Sequence, residues 1–98
     1  MFGIIFEYYS STHGFHRWIV VKDIPHSRYS LCAIISTKKT THSIEINNEA
    51  CLSVTKTSYI QLDNLLSVPK DIIEKNKKER ICSNMVIKIK KKFLNITK

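Results

Sequence analysis

The chain has 98 residues, room for one domain with a single modest core, and its 43% hydrophobic content is ordinary globular usage that excludes a disordered chain. The formal charge of +8 is unevenly placed: residues 1–69 hold six Lys/Arg and five Asp/Glu, a net of +1, while residues 70–98 hold ten against three, a net of +7. No apolar run approaches the roughly 20 residues that span a bilayer, and the N-terminal stretch carries Glu7 without a basic start or cleavage site, so a cytoplasmic protein without a membrane partner is expected.

Phe2 to Tyr9 is rich in β-branched and aromatic residues and predicts a strand. Ser10 to Gly14 is a polar loop closed by one of only two glycines. Phe15 to Lys22 predicts a second strand, in which Trp18-Ile19-Val20-Val21 is expected to be buried on both faces. Asp23 to Ser27 is a turn, with Pro25 ending the ladder. Tyr29 to Thr37 predicts a third strand and Lys38 to His42 a basic, Thr-rich loop. Ser43 to Ile46 alternates polar and apolar, as a half-buried strand does. Asn47-Asn48-Glu49 is a turn, and Cys51 to Thr55 is a short fifth strand or an irregular segment. Thr57 to Leu62 alternates again and predicts another strand.

From Pro69 onward the composition shifts to Lys, Glu and Asn. Pro69 suits the start of a short helix, with Asp71 favourable near its N-terminus and Ile72 and Ile73 as its anchors. Ser83 is a plausible N-cap for a last helix over Asn84 to about Asn95, where Met85, Val86, Ile89, Phe93 and Ile96 share one stripe; Ile87 to Lys90 also fits an alternating strand. The predicted fold is mainly β with a C-terminal helix: one domain over 1–98, a small, strongly curved antiparallel sheet or partly open barrel with the helix covering one opening.

Few motifs carry chemistry. The three cysteines, Cys32, Cys51 and Cys82, are odd in number and widely spaced, and are taken as small hydrophobes. His13, His16, His26 and His42 form no metal-ligand frame, and no Gly-rich phosphate loop exists, so no metal or cofactor is expected. Arg17 is more informative. If the second and third strands pair, Arg17 and Ser36/Thr37 share one end of a sheet. An arginine at a strand edge is usually a solvated charge, but it also matches phosphate oxygens bidentately and stays ionised. Ser36 and Thr37 either cap a turn or hold the same phosphate, and His16 is a candidate general base, a role its imidazole side chain suits. Lys38, Lys39, His13 and Lys56 are candidate contacts for a polyanion. Phe6, Tyr8, Phe15, Trp18 and Tyr59 are either core or stacking aromatics; Trp18 and Phe6 are taken as core, and Tyr8, Tyr9 and Tyr29 stay open.

Gly14-Phe15-His16-Arg17-Trp18-Ile19-Val20-Val21 resembles the "G-H-R-P-x-V-V-L" segment of the PemK/MazF-type toxins, the mRNA interferases of toxin–antitoxin pairs. Gly3 to Phe6 is similar to their opening "G-D-I-V/Y", Ala33 to Thr37 to "V-x-P-I-T-S", Lys56 to Asp63 to "K-x-S-Y-V-x-x-D", and Arg80 to Ser83 to "G-R-L-S" before the last helix. The pieces cover nearly the whole chain in the family order. Ile4 replaces the family Asp, Trp18 the Pro after the Arg, and Glu79 the Gly before "R-L-S".

The resemblance implies an SH3-like barrel, usually homodimeric, that cleaves single-stranded RNA without metal through attack of the RNA's 2′-hydroxyl. It implies that Arg17 acts at the phosphate and that Ser36 or Thr37 holds its oxygens. It also implies neutralisation by a cognate acidic antitoxin. The alternative is a non-catalytic SH3-like barrel that binds nucleic acid or an acidic protein.

Overall fold

The computed structural model describes residues 1–46 and 57–96. Six strands form one sheet: β1 (Ile4–Ser10), β2 (Gly14–Asp23), β3 (Tyr29–Ser36), β4 (Ser43–Ile46), β5 (Ser58–Pro69) and β6 (Lys77–Arg80). Helix α1 (Lys70–Lys75) joins β5 to β6, and α2 (Ser83–Ile96) ends the chain. The strand order is β4-β5-β3-β2-β1-β6, with every neighbouring pair antiparallel. The sheet curls into a half-barrel, and β4 and β6 are its edges.

Alternation along the central strands sorts apolar side chains into two cores. Ile5, Ile19, Val21, Ala33, Ile35, Ile60 and Leu62 pack on one face with Ile81, Met85 and Ile89 of the C-terminal segment. Ile4, Phe6, Trp18, Val20, Cys32, Ile34 and Val68 pack on the other with Ile73 of α1. Trp18, Ile19 and Val20 are fully buried and Val21 is 3% exposed, so β2 is apolar on both faces because both faces are covered. Full burial of each such side chain stabilises by about 1.5–3 kcal/mol, which makes β2 the spine of the fold. Val86 and Phe93 pack on the α2 side, as the helical stripe predicts. Cys32 is buried and Cys82 half-buried, both as free thiols, and burial pushes the Cys32 thiol up to about 12. The predicted turn 47–49, the segment 51–55 and Lys56 lie outside the described residues.

Three differences from the sequence-based expectation have local causes. Strand β1 starts at Ile4 rather than Phe2, because Gly3 sits at φ +85° and bonds through its N–H and C=O to Val20 and Ile81. A Cβ at Gly3 would be strained at that φ and lie 3.1 Å from Ile81 Cγ2. Strand β5 runs past Leu62 to Pro69, because its register jumps from Gln61↔Ile34 to Leu65↔Ala33 and absorbs residues 62–64 in a bulge. Lys77–Arg80 is a strand with no strong β-former: it pairs with β1 at an edge where charged side chains meet solvent, and Lys78 is its extra, bulged residue.

The N-terminal amine and Asp23 Oδ2 lie 2.7 Å apart, and the Ser30 hydroxyl donates to Asp23 Oδ1 at 2.6 Å. These two contacts, the amine first, hold the Asp23 carboxyl below its usual range despite some burial. A carboxyl depressed in the folded state contributes stability above its unfolded pKa, which is lost as pH falls through the folded value. Chemical denaturation should therefore show stability falling as pH drops below about 4, and Asp23→Asn should flatten that limb while lowering stability at pH 7. The Trp18 Nε1 has no hydrogen-bond partner among the described residues. Trp18→Ala should cost about 3–5 kcal/mol in urea denaturation, whereas Trp18→Phe should cost much less, since it removes no hydrogen bond.

Candidate functional site

The β1–β2 hairpin is tight. Ser10 pairs with Gly14 across a three-residue loop, and Gly14 takes φ +76°, the left-handed conformation such loops require. The Ser10 and Thr12 hydroxyls lie 2.9 Å apart, and the Thr12 N–H donates to Ser10 Oγ at 3.3 Å. Beyond the turn the ladder runs Tyr9↔Phe15, Tyr8↔His16, Glu7↔Arg17, Phe6↔Trp18 without a register break. On the other side of β2, Arg17 pairs with Ile35. Arg17 therefore stands in the middle of the sheet near one end, with Glu7 on one side and Ile35, followed by Ser36, on the other.

Period-2 alternation then divides the candidates. Arg17 lies on the face of Ile19, Ile5 and Ile35, together with Glu7, Tyr9 and Phe15. His16 and Ser36 lie on the opposite face, with Trp18 and Ile34. The His13 ring packs edge-on against Trp18 at 5.7 Å and so joins that second group. Consecutive strand residues cannot share a face, so His16 is not the base beside Arg17. Thr37 follows the end of β3 as an exposed bend residue, one position short of the predicted strand end.

Arg17 is half-buried, and its guanidinium makes no hydrogen bond or ion pair among the described residues. Its cross-strand neighbour Glu7 bonds instead to Lys78 Nζ at 3.1 Å. A half-buried guanidinium without a protein partner retains five donors for an anion. Sequence reasoning missed Glu7; the only signal for it is the hairpin register that the Ser10–Gly14 turn sets.

The loop after β3 is fixed rather than loose. Its Lys38 N–H donates to Ser36 Oγ at 3.3 Å, a turn role that leaves the Ser36 O–H free to donate. Gln61 Nε2 donates to the Lys38 carbonyl at 2.9 Å, and the Leu62 N–H to the His42 carbonyl at 2.8 Å. The Thr40 hydroxyl donates to Asp63 Oδ1 at 2.6 Å. Burial alone would raise Asp63, but the Thr40 hydroxyl and the backbone N–H donors more than offset it and hold this carboxyl low. The loop thus holds exposed Lys38 and Lys39 beyond Ser36. Among the described residues no three His, Cys, Asp or Glu side chains cluster as a metal site.

The basic C-terminal helix is elsewhere. Phe2, Val21, Lys22, Asp23, Lys90, Phe93 and Leu94 line a groove of about 360 Å³ at the far end of β2 from Arg17, and Lys90 Nζ sits 5.1 Å from the Phe2 ring centroid. Arg17 and Lys22 are five residues apart on one strand, about 17 Å. Arg17 and the basic α2 groove therefore lie at two ends of the sheet.

No family model matches the chain, and no curated protein matches it. Among solved structures, it is similar to a chain in the structure of an endoribonuclease in complex with its cognate antitoxin from a mycobacterial species, with a TM-score of 0.69 and 16% identity over 97% of this chain and 91% of that one. At that identity the likeness establishes the fold alone: the curled antiparallel sheet with its C-terminal helix is an architecture also seen in that complex.

Proposed function

We propose that this chain is a PemK/MazF-like toxin: a metal-independent endoribonuclease of the cytoplasm, homodimeric, that cleaves single-stranded RNA and is neutralised by an acidic antitoxin. The observation that carries the proposal is Arg17, a half-buried cation with no hydrogen bond or ion pair among the described residues, in mid-sheet across from Ile35 at the strand end that leads into Thr37 and the lysine loop. The fold similarity to a chain of an endoribonuclease–antitoxin complex supports it, as does the motif order in the sequence.

In the proposed reaction the 2′-hydroxyl attacks the adjacent phosphorus and the bond to the 5′-oxygen breaks. The products are a 2′,3′-cyclic phosphate and a 5′-hydroxyl. Charge builds on the phosphoryl oxygens, and the Arg17 guanidinium, carried by a strand paired on both sides, stabilises it with charged donors. The base that takes the 2′-hydroxyl proton is Glu7, the carboxylate directly across the ladder from Arg17. The departing 5′-oxygen takes its proton from water. Thr37, at the end of β3, and Lys38 and Lys39 in the loop beyond it are the further donors for the RNA backbone. The separate α2 groove, apolar within and rimmed by Lys22 and Lys90, is the surface that suits an acidic antitoxin.

Kinetics on a long single-stranded RNA test this. Arg17→Ala should lower kcat/KM by at least about 100-fold while the thermal midpoint stays within a few degrees of wild type. Glu7→Gln should lower kcat by a similar order and His16→Ala by less than about tenfold. Loss of activity in His16→Ala with full activity in Glu7→Gln would overturn the assignment of the base. Cleavage that survives Arg17→Ala would overturn the site.

A further inference from the structure

We propose that Tyr9 and Phe15 form a stacking platform for nucleotide bases next to the phosphate held by Arg17. The inference rests on the RNA-cleaving assignment of the Arg17 face, and it adds how the RNA is gripped there. Tyr9 is 67% exposed and Phe15 65% exposed, although both lie in regular strands. They are direct cross-strand partners in the rung next to the hairpin turn. The next rung on the same face is Glu7 and Arg17, two residues along each strand, or about 7 Å. That distance is comparable to the reach from a phosphate to the base of a neighbouring nucleotide in an extended strand.

Neither ring has an aromatic contact among the described residues. The ring contacts of this region join Phe6 to Tyr8, Tyr8 to Trp18 and His13 to Trp18, all on the opposite face. Tyr9 and Phe15 thus face outward without an aromatic partner among the described residues, on the rung beside a turn that the Ser10–Thr12 contact ties together. A rigid hairpin tip loses little entropy on binding, and an aromatic ring offers stacking area that every base can use. Charge selects the occupant. The neighbouring rung on this face holds Arg17, which has no ion pair among the described residues, and Glu7, whose charge Lys78 offsets at 3.1 Å; the β3–β4 loop adds Lys38 and Lys39, so single-stranded RNA fits better than an apolar protein surface. Stacking is tolerant of base identity, so the platform grips without strongly selecting sequence.

Binding of a mixed-sequence 2′-O-methyl RNA oligonucleotide tests this without requiring cleavage, because its attacking hydroxyl is blocked. Tyr9→Ala and Phe15→Ala should each weaken binding about tenfold with an unchanged salt dependence, whereas Arg17→Ala should reduce the salt slope. Phe15→Trp should restore affinity and Phe15→Leu should not. The effect of either alanine should shrink on an oligonucleotide with abasic positions. Unchanged affinity in Tyr9→Ala/Phe15→Ala, or a wild type that does not bind the oligonucleotide, would overturn the platform. So would a double variant that shifts the monomer–dimer equilibrium in sedimentation while RNA affinity holds, since the rings would then serve a protein contact. A wild type that binds through these rings but cuts no RNA would leave the platform standing and sink the nuclease assignment.

Discussion

Strand β2 is buried on both faces from Trp18 to Val21, and the remaining architecture follows from covering it. One face is closed by Ile81, Met85 and Ile89, the other by α1 through Ile73. Two covers on a central strand leave no freedom in register, since a slip of one residue would exchange the two cores. The apolar run ends abruptly at Arg17, where the sheet outgrows its covers. A charged side chain at that boundary is half desolvated by the strand it belongs to and remains open to a ligand on the other side. The same packing that stabilises the fold therefore fixes the backbone position of Arg17.

The separation of charge follows from the same geometry. Of the net +8, most belongs to the segment after Pro69, and its helix lies over the Val21–Asp23 end of β2. Arg17 stands at the other end, with Lys38 and Lys39 in the β3–β4 loop on one side and Lys78, paired with Glu7, on the other. Screening at physiological salt, with a Debye length of about 8 Å, makes two exposed clusters about 17 Å apart nearly independent. On the proposed function, an acidic partner at the helix and an RNA strand at Arg17 are recognised by different surfaces of one small domain.

Much of this was legible in the sequence because the central strands are written in β-branched residues with unambiguous ends. Gly14 closes the first hairpin, Pro25 lies in the turn after β2, and Ser43 to Ile46 alternates as a half-buried strand should. The helical stripe of Met85 and Ile89 predicted α2 over nearly its full length. What failed to show has a common cause in tertiary context. Lys77–Arg80 has no strand propensity and is held by its pairing with β1. The second half of β5 is hidden behind Asp63 and Asn64, which look like loop residues because they occupy a bulge.

In the site, the pairing of β2 with β3 that the sequence suggested puts Arg17 across from Ile35, but Ser36, the next residue, lies on the opposite face. The division of neighbours between faces was also available, since His16 and Arg17 are adjacent in a strand and must point apart. The partnership of Glu7 with Arg17, and of Tyr9 with Phe15, needed the hairpin register itself.

The most direct test of the account is the chemistry of the ends left on a long single-stranded RNA by the purified protein in the presence of a chelator. Discrete cuts bearing 2′,3′-cyclic phosphate and 5′-hydroxyl ends are the predicted result. Cuts that require a divalent ion, or that leave 5′-phosphate ends, would contradict a mechanism built on a fixed arginine and the RNA's own hydroxyl.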